Sequence, residues 1–189
     1  MRKTLKMLAP AFILLAISGI MALLLGATNL LTAQKISERA AQTQQQAIAK
    51  VLPAQSYEAK TVTLEGTEYA YSVAKNGNEI VGYAFTLSHN GYGGAVETVV
   101  GLTPSGSVAG IEVSDVSGET PGLGQNAAKE EFGAQFKNKS QTLSVVKSGA
   151  GEQEVNAVTG ATITSKAVTE NVNTAFKLFS AVKGGAVNE

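Results

Sequence analysis

Residues Glu79–Thr103 read EIVGYAFTLSHNGYGGAVETVVGLT. Two runs inside this stretch, EIVGYAFTLS and AVETVVGLT, are rich in aromatic and β-branched residues and read as strands. The GYGG between them suits a hairpin end. Upstream, YEAKTVTL (57–64) and EYAYSVAK (68–75) continue the strand-like reading, and SVAGIEVSD (107–115) continues it downstream. NGNE and TPSGS supply turn chemistry between neighbouring runs. Short strands in such close succession predict a mostly antiparallel sheet. Two helices interrupt or close it: a short one in NAAKEEFGAQF (126–136), and a long one from about Ser165. In the long one Val168, Val172, Ala175, Phe176, Phe179 and Val182 recur at helical spacing, and Gly184 and Gly185 provide the stop. The fold class is therefore α+β.

The N-terminal part is of another kind. No charged side chain occurs from Met7 to Gln34, and the apolar run is long enough for the ~20 residues that a helix needs to cross hydrocarbon. A cleaved secretory signal is the rival reading, since Arg2, Lys3 and Lys6 form a basic start and small residues occur near Gly26, Ala27 and Ala33. The apolar run is too long for that. AQKISERAAQTQQQAIAKVLPA then reads as a polar helical stalk continuing the span, its thin stripe of Ile36, Ala40, Ala47, Ile48, Val51 and Leu52 ended by Pro53. The expected organisation is a cytoplasmic tail at 1–6, a transmembrane helix at 7–32, a helical stalk at 33–53 and an extracytoplasmic domain at 54–189. Lys35, Arg39 and Lys50 follow the span, so charge bias orients it only weakly.

Composition narrows the chemistry. The 15 basic and 15 acidic residues balance, and no basic stripe with interleaved aromatics points to nucleic acid. Without cysteine, the chain has no disulfide, no thiolate zinc site and no cysteine-held cluster or haem. Any redox centre must be organic. One histidine, His89, removes multi-histidine metal sites and most hydrolytic triads; it reads as a polar loop residue, with a lone acid or base as the alternative.

Against that background, NAVTGATITSK (Asn156–Lys166) crowds Thr159, Thr162, Thr164 and Ser165 just before the long helix. Thr164 or Ser165 suits the N-cap, its hydroxyl accepting from a first-turn amide, although the reciprocal Glu or Gln of a capping box is absent. Gly160 permits positive φ, Ala161 leaves space, and Thr162 is then presented from a bend at a helix N-terminus. Such a place stabilises a phosphate with few basic residues nearby. By residue chemistry alone, capping is the commoner explanation.

TGATIT resembles the flavinylation motif, Ser or Thr followed by Gly-Ala-Thr, of the FMN-binding domain family, in which FMN is joined through its phosphate to the last threonine of the tetrad. ETPGLG (Glu119–Gly124) followed by EEFGAQF, and GYGGAVETVVGL (Gly91–Leu102), match further family stretches. With the anchor and stalk, nearly the whole chain resembles the G subunit of Rnf ion-translocating ferredoxin:NAD oxidoreductase complexes. Two positions depart from the family pattern: Asn156 stands where Asp is common six positions before the modified threonine, and Ser117 where His is frequent two positions before the Glu.

The resemblance implies covalent FMN on Thr162, with Thr159, Gly160, Ala161, Thr164 and Ser165 around it. Glu119, Thr120, Pro121, Gly122, Leu123 and Gly124 would form a close-approaching loop, Leu123 laying an apolar side chain on the isoalloxazine. A threonine hydroxyl is a poor nucleophile, so attachment implies a separate flavin transferase taking FMN from FAD, with magnesium assisting. No catalytic or metal-ligating residue is expected of the chain itself. It would be an electron carrier among other membrane and redox subunits, part of an enzyme rather than one alone. The C subunit of the sodium-pumping NADH:quinone oxidoreductase is the nearest alternative, and a flavin-free anchored assembly module another. For Tyr92, packing beside the flavin stands against a plain hairpin end. Glu130 and Glu131 read as a solvated helix face.

Overall fold

A computed structural model describes residues 2–184, excepting the side chains of 2–9. The basic side chains Arg2, Lys3 and Lys6 and the expected stop residue Gly185 lie outside the described residues. Helix α1 runs unbroken over Arg2–Val51, 50 residues that merge the expected span and stalk. From Pro10 onward it is long and apolar enough to cross a membrane, with a window of mean hydropathy 2.3. That agrees with a single-pass anchor.

The chain divides into two compact units, 1–42 and 43–189. The second is built on a five-stranded antiparallel meander, order β1-β2-β3-β4-β5. Its strands are β1 (Ser56–Leu64), β2 (Thr67–Asn76), β3 (Glu79–Asn90), β4 (Ala95–Leu102) and β5 (Val108–Asp115), each within a residue or two of its sequence run. Glu65 (φ 52°) and Gly66 (φ 80°) make the two-residue turn between β1 and β2.

One sheet face is covered by α3 (Thr162–Lys183), whose Val168, Val172, Ala175 and Leu178 are buried with Tyr71, Phe85 and Leu102. The other face takes the end of α1. Ala47, Ile48, Val51 and Leu52 pack on Ala74, Ala84 and Val99, so the compact unit takes in the end of the stalk from Thr43. Glycines on the sheet admit these side chains: a Cβ on Gly101 would stand 2.9 Å from Leu52 Cγ and 3.1 Å from Val51 Cγ2. Lys50 pairs with Glu112 at 2.7 Å, and Gln44 donates to Thr86 at 2.9 Å.

Between the sheet and α3 the expected short helix is split. A 3₁₀ turn over Gly124–Ala128 and helix α2 (Glu130–Ala134) are separated by Lys129, whose ψ of 142° is extended. Phe132 and Phe136 still reach the core, and Glu130 and Glu131 are exposed. A parallel pair, β6 (Ser144–Val146) with β7 (Glu154–Asn156), was not legible as strands, because three residues are too few to display a period. Helix α3 starts at Thr162 rather than near Ser165, so the two expected capping residues lie inside its first turn.

Candidate functional site

The capping expectation is overturned by where the hydroxyls go. The N-cap position of α3 is Ala161, and no side chain caps the first turn. Thr164 Oγ1 donates instead to Glu119 Oε2 at 2.5 Å, inside the protein. Ser165 Oγ donates to Ala161 O and accepts from Val158 N, both at 2.9 Å, bracing the bend from beneath. Thr162 is exposed, and among the described residues its hydroxyl has no partner. The bend itself needs Gly160, whose φ of 76° an L side chain rarely adopts.

Glu119 is the pivot of this region. It is 2 % exposed, and besides the Thr164 hydroxyl it accepts the Gly93 amide at 3.0 Å on Oε1. Burial works against its charge, but the Thr164 hydroxyl and the amides of Gly93, Gly94 and Tyr92 outweigh burial and hold the carboxyl below its ordinary range. The Gly93 amide bonds the carboxylate directly, and the tip amides beside it favour its charge. The carboxylate fits because its neighbours lack side chains. A Cβ on Gly91 or Gly124 would run into it, and a Cβ on Gly93 would strike the Gly118 carbonyl. Three separate pieces thus meet at one residue: the β3–β4 hairpin tip, the loop 119–124 and the start of α3.

Beside Glu119 lies a cavity of about 580 Å³, within the ~300–1,000 Å³ usual for small-molecule sites. Of the expected site residues, Glu119, Thr120, Leu123 and Gly124 line it from the loop, and Gly160, Ala161, Thr162 and Thr164 from the bend and α3. Pro121, Gly122, Thr159 and Ser165 do not. Gly122 and Thr159 border a second hollow of about 490 Å³ that shares Leu123 as a wall. Pro121 is exposed, and Ser165 is buried.

Tyr92 and Ile163 also line the cavity. Tyr92 had a signal in its GYGG setting; Ile163 had none, since a lone aliphatic before a helix looks like core. Both are exposed, by 74% and 51%, as is Leu123 by 44%. An uncapped N-terminus of a 22-residue helix beside three exposed apolar side chains suits a ligand with an anionic end and a flat apolar end.

His89 is not in a loop: it sits in β3, half-buried, with Nδ1 2.7 Å from Asn171 Oδ1. The Asn171 amide in turn donates to Val96 O and Thr98 Oγ1, each at 3.0 Å, so His89 Nδ1 carries the proton of that contact. Asn156 uses its side-chain oxygen to accept the Ala150 amide at 3.1 Å, a role that Asp performs equally well. Its backbone amide donates to Gln135 Oε1 at 2.8 Å. Ser117 is exposed and donates its amide to Asp115.

A family model described as FMN-binding domain matches residues 91–177, from the hairpin tip through most of α3. The chain is 37% identical over 185 residues to the G subunit of the Na(+)-translocating ferredoxin:NAD(+) oxidoreductase complex of Acetobacterium woodii, covering 88% of each chain. It is 32% identical to the G subunit of the ion-translocating oxidoreductase complex of Methanosarcina acetivorans, over 90% of this chain and 93% of that one. With the G subunit of the proton-translocating ferredoxin:NAD(+) oxidoreductase complex of Clostridium ljungdahlii it shares 46% identity over 114 residues, 59% of this chain and 60% of the relative. Among solved structures, the C subunit of the Na(+)-translocating NADH-quinone reductase of Parabacteroides distasonis superposes with a TM-score of 0.51 at 28% identity, over 67% of this chain and 74% of that one. Shewanella oneidensis NqrC, 19% identical with a TM-score of 0.55 over 66% of this chain and 70% of that one, shares the fold.

Proposed function

We propose, from the premise that this chain belongs to the G-subunit family of ion-translocating oxidoreductase complexes and carries its FMN-binding domain, that it is a membrane-anchored electron carrier with FMN esterified to Thr162. The observation that carries the attachment is the allocation of hydroxyls. Thr164 and Ser165 are committed to Glu119 and to the bend, while Thr162 stands exposed on the cavity at an uncapped helix start.

Each part of the chain has a definable task in this reading. The first-turn amides of α3 and its dipole stabilise the phosphate, and Gly160 makes the bend that presents Thr162. Leu123, Tyr92 and Ile163 shield an apolar ring from water. Bound FMN supplies the electron uptake and release; the protein positions and tunes it. Thr162 would be the acceptor of the phosphoester: a flavin transferase, with magnesium, would take FMN from FAD, release AMP and accept the hydroxyl proton. The tether keeps the cofactor from being lost by dilution.

The anchor spans 7–32 with 1–6 on the cytoplasmic side, the stalk covers 33–53, and the domain at 54–189 lies outside the cytoplasm, where it exchanges electrons with other membrane and redox subunits of an Rnf-type complex. The reading as the quinone-reductase C subunit draws on fold likeness, whereas relatives matched over most of their length are named as G subunits.

Intact mass of the detergent-extracted chain, made with and without a flavin transferase, tests the proposal. A gain of one FMN less one water, dependent on the transferase and abolished by Thr162→Val, is the expected result. A parent chain that gains nothing with the transferase present overturns covalent attachment and leaves the flavin-free module.

A further inference from the structure

Glu119 is the one charged residue buried among the described residues. No Lys, Arg or His lies within ion-pair distance of it among those residues. All its hydrogen-bond partners are neutral: the Thr164 hydroxyl and the amides of the hairpin tip. Of the titratable residues nearest it on the packed elements, Tyr92 lines the same cavity. His89 bonds Asn171, and Asp115 and Lys166 are exposed. A neutral amide of the same length avoids the cost of burying an ion, but it has one acceptor oxygen where the carboxylate offers two, each of which takes a donor here. An uncompensated anion thereby forms part of the cavity wall.

We infer that Glu119 is a positioning residue with two linked roles: its carboxylate staples the hairpin tip and the 119–124 loop to the start of α3, and its fixed negative charge keeps the midpoint potential of a flavin in the adjoining cavity low. The second role rests on the function proposed above; the first does not. The sign follows from Coulomb's law in a poorly screened site, since each electron added to the ring is repelled by a neighbouring anion. Removing the charge makes reduction easier. The staple role has its own signature without flavin. The folded-state pKa is depressed, so the contribution is present above the ordinary carboxylate value of ~4.3 and is lost as pH falls through the folded value.

The experiment uses the full chain in detergent, loaded through a flavin transferase, and the same chain made without it. Loaded Glu119→Gln is expected to keep the adduct mass and to show a more positive midpoint potential. Loaded Glu119→Asp, which keeps the charge, should stay nearer the parent. An unchanged potential in the Gln variant, or an equal shift in the Asp variant, overturns the electrostatic role. In the flavin-free chains, the melting temperatures of parent and Glu119→Gln should converge as pH falls from neutrality through the acid range; parallel profiles overturn the staple. Should the Gln variant fail to fold, Thr164→Val decides the same point, because loss of that donor must move the parent's acid transition to higher pH. A parent that never acquires flavin sinks the proposed function and leaves the flavin-free arm intact.

Discussion

The Thr164 hydroxyl and the Glu119 carboxylate, 45 positions apart in the chain, meet at 2.5 Å inside the protein. The bond joins the loop 119–124 to the first turn of α3 and removes Thr164 from the set of hydroxyls a ligand can reach. A threonine that looks like a helix cap is instead a long-range tie, and its exposed neighbour two residues earlier is left facing the cavity.

Attachment and stability should separate by residue. Thr162→Ala and Thr162→Val are expected to lose in-gel flavin fluorescence and the mass increment while melting like the parent, since Thr162 is exposed. Thr164→Val should keep some adduct but lose ~1–3 kcal/mol, the usual cost of leaving a buried polar partner short of a hydrogen bond. Thr159→Ala should change neither. Mass spectrometry and denaturant melts on the four variants check this, and an adduct surviving on Thr162→Val refutes the assignment.

The two glycines of the PGLG loop should respond differently. Gly124 has no room for a Cβ, which would collide with Glu119 and stand 2.9 Å from Thr164 Oγ1, so Gly124→Ala is expected to disturb flavin absorbance and stability together. Gly122 has open space but a φ of 77°, so Gly122→Ala should cost ~1 kcal/mol of backbone strain with a milder spectral change. Exposed Glu130→Ala serves as the neutral control.

Domain melting should depend on the end of α1 and not on its middle. Leu52 is 3% exposed against the sheet, whereas Ile36 is 62% exposed. Leu52→Ala in the full chain is expected to cost ~2–5 kcal/mol, and Ile36→Ala close to nothing. Equal effects in a calorimetric scan would show that the 43–52 segment is not part of the cooperative unit.

The N-terminal helix should behave as an uncleaved anchor. The mature chain is expected to retain Met1 or Arg2 and to stay with membranes through carbonate washing. A reporter fused after Glu189 should be active only in a form that works outside the cytoplasm. Cytoplasmic activity reverses the proposed orientation, and release by carbonate removes the anchor.

What the sequence determined by itself is what local chemistry can encode. The five strand runs, the turns at NGNE and TPSGS, the apolar stripe of α3 and the charge-free N-terminal run all report the backbone's own period, so each could be placed to within a few residues. The resemblance of TGATIT and ETPGLG to family motifs likewise singled out two segments that the fold brings to one cavity. Which hydroxyl is free was not legible, because Thr159, Thr162, Thr164 and Ser165 are chemically near-equivalent and differ only in what lies opposite them. Thr164 is taken by a carboxylate from a distant loop, and Ser165 by the bend beneath it. The same holds for Ile163 and Tyr92 on the cavity rim, and for the start of the compact unit at Thr43, which depends on Gly101 leaving space for Val51 and Leu52. Periodicity is a property of neighbours along the chain; hydrogen-bond partnership and steric room are properties of neighbours in space, and only the folded structure brings those together.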